Sequence, residues 1–195
     1  KYHQQEQMPV GTHWYLDEAL FKRNYSHKRL LKELEDKLAN EQQSLSRDIK
    51  GIERSNASDD VKQTRKENRT RENYPRFYQQ NYTSPRLLPG WAMVEELSLG
   101  SLSRLYQGIA KDADRKAIAK RFDTVHEVLS SWLHTLTFVR NCCAHHARLW
   151  NRELSVPPKL PNGTDWQLPA RLGASQIQPR RRIYVVLLLL AHLMN

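Results

Sequence analysis

The residues best suited to chemistry lie in one short stretch, FVRNCCAHHARLWNR, which runs from Phe138 to Arg152. Within it Asn141 and His145 are four positions apart and share a face if the segment is helical, and Arg140, offset by about 100°, flanks that face. One surface strip then carries a fixed cation, an amide and an imidazole. RNA cleavage asks for such a set. The 2′-hydroxyl must lose a proton as it attacks the adjacent phosphorus, and the leaving 5′-oxygen must gain one. An imidazole with an ordinary pKa near 6.5 exchanges protons at neutral pH. A guanidinium that stays charged clamps the phosphate as negative charge develops, and the amide orients the imidazole or a phosphate oxygen. Neither a metal nor a cofactor is called for by this set.

One strip holds one imidazole and lacks a second acid–base partner. A two-fold pairing of the same helix from two chains supplies it, so a homodimer with a composite site is expected. Two other readings compete. His145 and His146 could ligate zinc, but adjacent residues diverge on a helix and no second Cys/His pair stands at ligand spacing, so no metal site is expected. Both could instead pack against Trp150. Cys142 and Cys143 read as small core residues.

The strip needs a helix to hold it. Val125, Leu129, Trp132, Leu136, Val139 and Cys143 recur at spacings of 4, 3, 4, 3 and 4, and Thr124 with Glu127 has the form of a capping box, which predicts a helix from Thr124 to about Leu149. Further helical patterns surround it. Leu30, Leu31, Leu34 and Leu38 follow Ser26 as a cap. Trp91, Val94 and Leu97 share a face. Ser101 precedes Leu102, Leu105, Tyr106 and Ile109 after an interrupting Gly100, and Asp112 precedes Ile118 and Phe122. Asp17 can cap a short turn through Leu20 and Phe21.

Three stretches break this rhythm. Residues 40–73 are charged and poor in apolar side chains, and are expected to form a partly disordered insertion or a frayed helix, with Lys62, Arg65, Lys66, Arg69 and Arg71 as RNA contacts or a solvated charge run. Residues 74–90 mix prolines with Tyr74, Phe77, Tyr78 and Tyr82 and read as an irregular aromatic connector. Residues 150–179 hold five of the nine prolines and form a long connection to an apolar helix at Ile183–Met194. No strand pairing is evident, so the fold class expected is all-α.

Composition fits these expectations. The 195 residues are 39% hydrophobic and 27% charged, with a formal net charge of +10. The pI near 9.8 favours polyanionic partners, because each Lys or Arg that neutralises a phosphate releases a counterion. The two cysteines are adjacent and build no disulfide framework, which fits a reducing cytoplasm. The run at 183–194 is too short for a bilayer, which needs about 20 apolar residues, so no membrane span is expected. The first six residues, ahead of Pro9 and Gly11, look like the tail of a helix that begins earlier, so upstream helices are expected to be missing.

The string RNCCAHH contains R-N-x-x-x-H and resembles the R-x(4–6)-H motif of the HEPN superfamily. The wider RNCCAHHARLWNREL, with THWYLDEALF, SLGSLSRLY, SSWLHTLTFVRN and RRRIYVVLLLL in the same order, resembles the Abi-like family of bacterial abortive-infection proteins. The resemblance covers most of the chain outside 40–73. It implies a single HEPN-like helical bundle over 1–195, a homodimer, a composite ribonuclease site, a role in phage defence in the bacterial cytoplasm, and a noncoding RNA as antitoxin or guide. It makes Arg140, Asn141 and His145 the catalytic candidates. His146 stands ready to assist, and Arg148, Asn151 and Arg152 to bind RNA or brace the site. Arg180, Arg181 and Arg182 are further candidates for RNA contact. The function so implied is a metal-independent endoribonuclease leaving 2′,3′-cyclic phosphate and 5′-hydroxyl ends. The alternative is a non-catalytic RNA-binding regulator on the same fold.

Overall fold

Helical periodicity prevails in nearly every segment of the computed structural model, which describes residues 11–162, 166, 168 and 178–194. Among the described residues there are eight α-helices and no strand, apart from one isolated bridge between Phe21 and Ile109. None of these helices is long and apolar enough to cross a membrane. The all-α expectation holds. Contacts divide the chain into two compact units, where the sequence reading drew one domain with an insertion.

The first unit takes in residues 11–19 and 24–97. It contains α1 (His27–Glu53), α2 (Asp59–Arg71), α3 (Tyr74–Asn81) and α4 (Gly90–Glu96). The leucines of α1 bury as their spacing predicts, at Leu30, Leu34, Leu38 and again at Leu45. Ser26 occupies the N-cap position of α1 but makes no side-chain capping bond. The segment before α1 is pinned by hydroxyl and imidazole groups. The Tyr15 hydroxyl donates to the Leu88 carbonyl (2.6 Å), and His27 Nε2 meets the Tyr15 carbonyl (2.8 Å). Trp14 lies so close to Gly90 that a Cβ there would come within 2.6 Å of the indole nitrogen, which accounts for glycine at that position.

Two expectations for this unit are corrected. Residues 40–73 are neither disordered nor a frayed end: α1 runs on to Glu53 and α2 forms a second full helix. The reason is an ion network. Arg76, only 8% exposed, donates from Nε to Glu41 (2.9 Å) and from Nη1 to Asp48 (3.1 Å) and Glu72 (3.2 Å). Nη2 also reaches the Ser44 hydroxyl (3.1 Å). One buried guanidinium thus ties α1, the end of α2 and α3 together where apolar side chains are few. Residues 74–81 likewise form α3, capped by the Asn73 side chain, which accepts from the Arg76 amide. Tyr78 is buried and donates to the Pro85 carbonyl (2.7 Å), and the Tyr74 ring sits 4.5 Å from that of Trp91.

The second unit takes in residues 20–23 and 98–194. It contains α5 (Leu99–Gly108), α6 (Asp112–Lys120), α7 (His126–Ala144) and α8 (Ile183–Met194). Among the described residues α5 packs most extensively against α7. Gly100 does not interrupt α5 but lies within its first turn, which is capped by Ser98 rather than Ser101. Its missing side chain lets α5 approach Thr137 of α7, whose methyl would stand 3.3 Å from a Cβ at position 100. On one side α7 packs through Leu129 on Tyr106, Ile109 and Ala119, and on another through Val128 and Trp132 on Leu189. Three bonds hold the following proline-rich segment along α7. Thr135 Oγ1 donates to the Val156 carbonyl (3.0 Å), the Lys159 amide donates to Ser131 Oγ (2.9 Å), and Trp132 Nε1 donates to the Lys159 carbonyl (2.8 Å). The rest of that connection lies mostly outside the described residues, as does the upstream helix tail expected at 1–6.

Candidate active site

The apolar faces of α7 fix its rotation, and that rotation leaves Arg140, Asn141 and His145 exposed. Val128, Leu129, Trp132, Thr135 and Cys142 face inward. The predicted stripe is therefore only partly the buried one: Val125 is 58% exposed and Cys143 is exposed, while Cys142 is the buried cysteine. The capping box is not formed. Val125 is the N-cap and no side chain caps the first turn. Glu127 pairs instead with His126 Nδ1 (2.9 Å), and the Thr124 hydroxyl is buried without a hydrogen-bond partner among the described residues. The chain enters α7 through a tight turn, with Asp123 at φ 45° and the Thr124 amide bonded to the Ala119 carbonyl, and this turns the threonine away from its expected role.

The other end of α7 carries the motif, and it stops earlier than expected, at Ala144 rather than near Leu149. His145 is the C-cap, its amide still bonded to the Asn141 carbonyl (3.0 Å). His146 follows at φ 52°, and the two bonds that close the helix are His146 N–H to Cys143 O (3.1 Å) and Ala147 N–H to Cys142 O (2.8 Å). This pair of bonds is a Schellman motif, with histidine at the left-handed position where glycine is favoured. Asn141 and His145 thus sit one helical turn apart on the terminal turn, at the edge of the helix rather than along its middle.

Arg140 Nη1 stands 3.3 Å from Asn141 Oδ1, so the cation and the amide meet, and Arg140 makes no ion pair among the described residues. The side chains of His145, His146 and Arg148 are exposed and engage no hydrogen bond or ion pair among the described residues. The remaining candidates brace the turn that follows. Arg182 Nη1 donates to the Asn151 carbonyl (2.9 Å) and lies 3.4 Å from its side-chain oxygen, while Asn151 itself sits at φ 52°. The Arg152 guanidinium lies over the Phe138 ring at 5.5 Å. Arg181 pairs with Glu153 (2.6 Å) and its carbonyl accepts from the Leu154 amide (2.7 Å). Arg152, Arg181 and Arg182 are therefore engaged in holding residues 151–154, whereas Arg180 has no ion pair among the described residues. In the first unit Lys66 pairs with Glu53 and Arg69 with Glu72, and Lys62, Arg65 and Arg71 have no ion pair among the described residues. No cluster of three metal-ligating side chains occurs among the described residues.

An all-α chain whose central apolar helix ends in an exposed Arg–Asn–His edge is the class that fold and site define. The model of the Abi-like protein family matches residues 1–151, and the chain belongs to that family, whose name denotes abortive infection. The match takes in Arg140, Asn141, His145, His146, Arg148 and Asn151, and ends before Arg152 and the Arg180–Arg182 run. No curated protein and no solved structure matches the chain.

Proposed function

We propose that this protein is an endoribonuclease of the HEPN type that acts in abortive infection, with Arg140, Asn141 and His145 as its catalytic groups. The observation that carries this reading is the exposed end of α7, where a cation and an amide in mutual contact lie one turn from an unengaged imidazole. In the reaction His145 takes the proton of the 2′-hydroxyl, the 2′-oxygen bonds to phosphorus, and the bond from phosphorus to the 5′-oxygen breaks. The departing oxygen takes a proton from a second imidazole, and the products are a 2′,3′-cyclic phosphate and a 5′-hydroxyl. Arg140 offsets the charge that builds on the phosphoryl oxygens, and Asn141 orients Arg140 through its side-chain oxygen. A metal ion has no step in this scheme.

The second imidazole is His145 of another copy, in a homodimer with paired α7 helices. The exposed apolar residues Tyr184, Leu187 and Met194 on α8 support self-association, since isolated soluble chains seldom leave such a stripe uncovered. The test is cleavage of labelled RNA in EDTA by the full chain, beside His145→Ala and Arg140→Ala. Loss of cleavage in both variants, with helical circular dichroism unchanged and cyclic phosphate ends in the parent reaction, is the expected result. Undiminished cleavage by His145→Ala would overturn the assignment, and salt-sensitive RNA binding without turnover by the parent chain would make the protein a regulator instead.

A further inference from the structure

The opposite end of α7 borders a groove of about 760 Å³ that the motif does not use. Its rim carries Lys120, Lys159 and Arg180, which arrive from the end of α6, from the segment held along α7 and from the turn Pro179–Arg181. None of the three has an ion pair among the described residues, in contrast to Arg181 beside it. Asp123 is the single acid on the lining among the described residues. Lys159 is positioned on both sides, its amide donating to Ser131 Oγ (2.9 Å) and its carbonyl accepting from Trp132 Nε1 (2.8 Å). The buried hydroxyl of Thr124, which has no hydrogen-bond partner among the described residues, belongs to the same lining, as do Val125 and Val128 at the first turn of α7. No side chain among the described residues caps that turn, whose amides favour an anion.

We infer that this groove holds the phosphate backbone of an RNA strand, away from the bond that is cut; that the anion is RNA rests on the function proposed above. Three cations on separate segments suit successive phosphates better than one small anion. Among the described residues no aromatic ring is on the lining to stack a base, so a strand held by its backbone fits better than a nucleotide held by its base. Val125 and Arg140 are separated along α7 by a rise of about 22 Å, so the groove and the motif would meet different nucleotides of one strand. Lys120 lies within the part of the chain that the family model matches, and Lys159 and Arg180 lie beyond it.

The test uses the full chain with His145→Ala, so that RNA stays intact, and fluorescence anisotropy with a labelled single strand across a KCl series. Replacing Lys120, Lys159 and Arg180 together by Ala should weaken binding by at least about 10-fold and lower the slope of log K against log salt by about 2, since each phosphate contact on a single strand contributes roughly 0.7. Each single replacement should lower the slope by about 0.7. A control lacking the exposed Lys28, Arg29 and Lys32 should change the slope far less. A groove variant that binds like its parent, a control that weakens as much, or displacement of the strand by stoichiometric mononucleotide would each overturn the inference. Cleavage by the chain carrying the native His145, measured separately, judges the proposed activity. Groove-dependent binding without cleavage rejects the enzyme and keeps the groove, and cleavage with groove-independent binding does the reverse.

Discussion

The amide of His146 donates to the carbonyl of Cys143 at 3.1 Å while the His146 backbone sits at φ 52°, and these two facts together end the motif helix. A β-carbon at such an angle costs roughly 1 kcal/mol relative to glycine. His146→Gly should therefore raise stability by about 0.5–1 kcal/mol, provided the helix still closes at the same place. Thermal or urea melts measure this. If the imidazole assists cleavage, the same variant gains stability and loses activity, which a mere capping residue would not do. A variant that is less stable than the parent would show that the His146 side chain contributes packing that outweighs the backbone strain.

Arg140 offers a different kind of test because one guanidinium nitrogen, Nη1, reaches Asn141 Oδ1. Arg140→Lys keeps the charge and loses the planar donor set. RNA cleavage should fall at least about 10-fold in Arg140→Lys and about 100-fold or more in Arg140→Ala, as for removal of one transition-state donor. Both residues are exposed, so the melting curves should shift by no more than about 0.5 kcal/mol. Full activity in the lysine variant would reduce the role of Arg140 to a point charge.

The position of α7 is legible in the sequence because its apolar period is long, but its face is only partly so: Leu129 and Trp132 bury as the period predicts, while Val125 and Cys143 are exposed and Val128, Thr135 and Cys142 are buried in their place. Its ends are less so. Thr124 and Glu127 have the right types for a capping box, but the left-handed Asp123 turns the chain so that the threonine oxygen is buried elsewhere. The burial of Thr135, at 0% exposure, is equally hidden, since only the folded chain brings the Val156 carbonyl within its reach. Residues 40–73 look solvated because composition counts apolar side chains and does not count ion pairs across helices. Glu41 and Asp48, seven apart and therefore on one face of α1, were the available signal, but their partner Arg76 lies beyond α2. Of the groove's three cations only Arg180 stood out in the sequence, as part of an arginine run; its grouping with Lys120 and Lys159 had no signal, because the three are distant along the chain.

Removal of Arg76 should be among the most damaging changes in the first unit. Its guanidinium is nearly buried and its three acidic partners are about one-third to one-half exposed, so water can rescue the acids but not the lost bracing of α1 to α3. Arg76→Ala should cost about 2–3 kcal/mol, below the largest values known for fully buried pairs. Arg76→Lys, which can serve only one or two of the three acids, should recover less than half of that. Chemical denaturation of the full chain reads both, and hydrogen exchange should show α2 losing protection first. A cost within experimental error of zero for Arg76→Ala would mean that 40–73 stands without the network.

Acid should weaken the first unit in two steps whose sign follows from two depressed pKa values. Burial holds His13 below its ordinary 6.5, against the opposing effect of its bond to the Leu87 carbonyl (3.1 Å). As pH falls below 6.5 the unfolded chain takes up this proton before the folded chain does, so stability drops. Hydrogen bonds from Asn73 and then Arg76 hold the Glu41 carboxyl below its ordinary 4.5, outweighing desolvation. Its contribution is complete above about pH 4.5 and is lost as pH falls through the lower, folded value. Melting temperatures recorded across the acidic range should therefore decline first below neutrality and again below pH 4.5. His13→Gln keeps a donor for the Leu87 carbonyl and should remove only the upper step, whereas Asn73→Ala should shrink only the lower one. A His13→Gln profile that retains the decline between pH 6.5 and 4.5 would place that titration on another group.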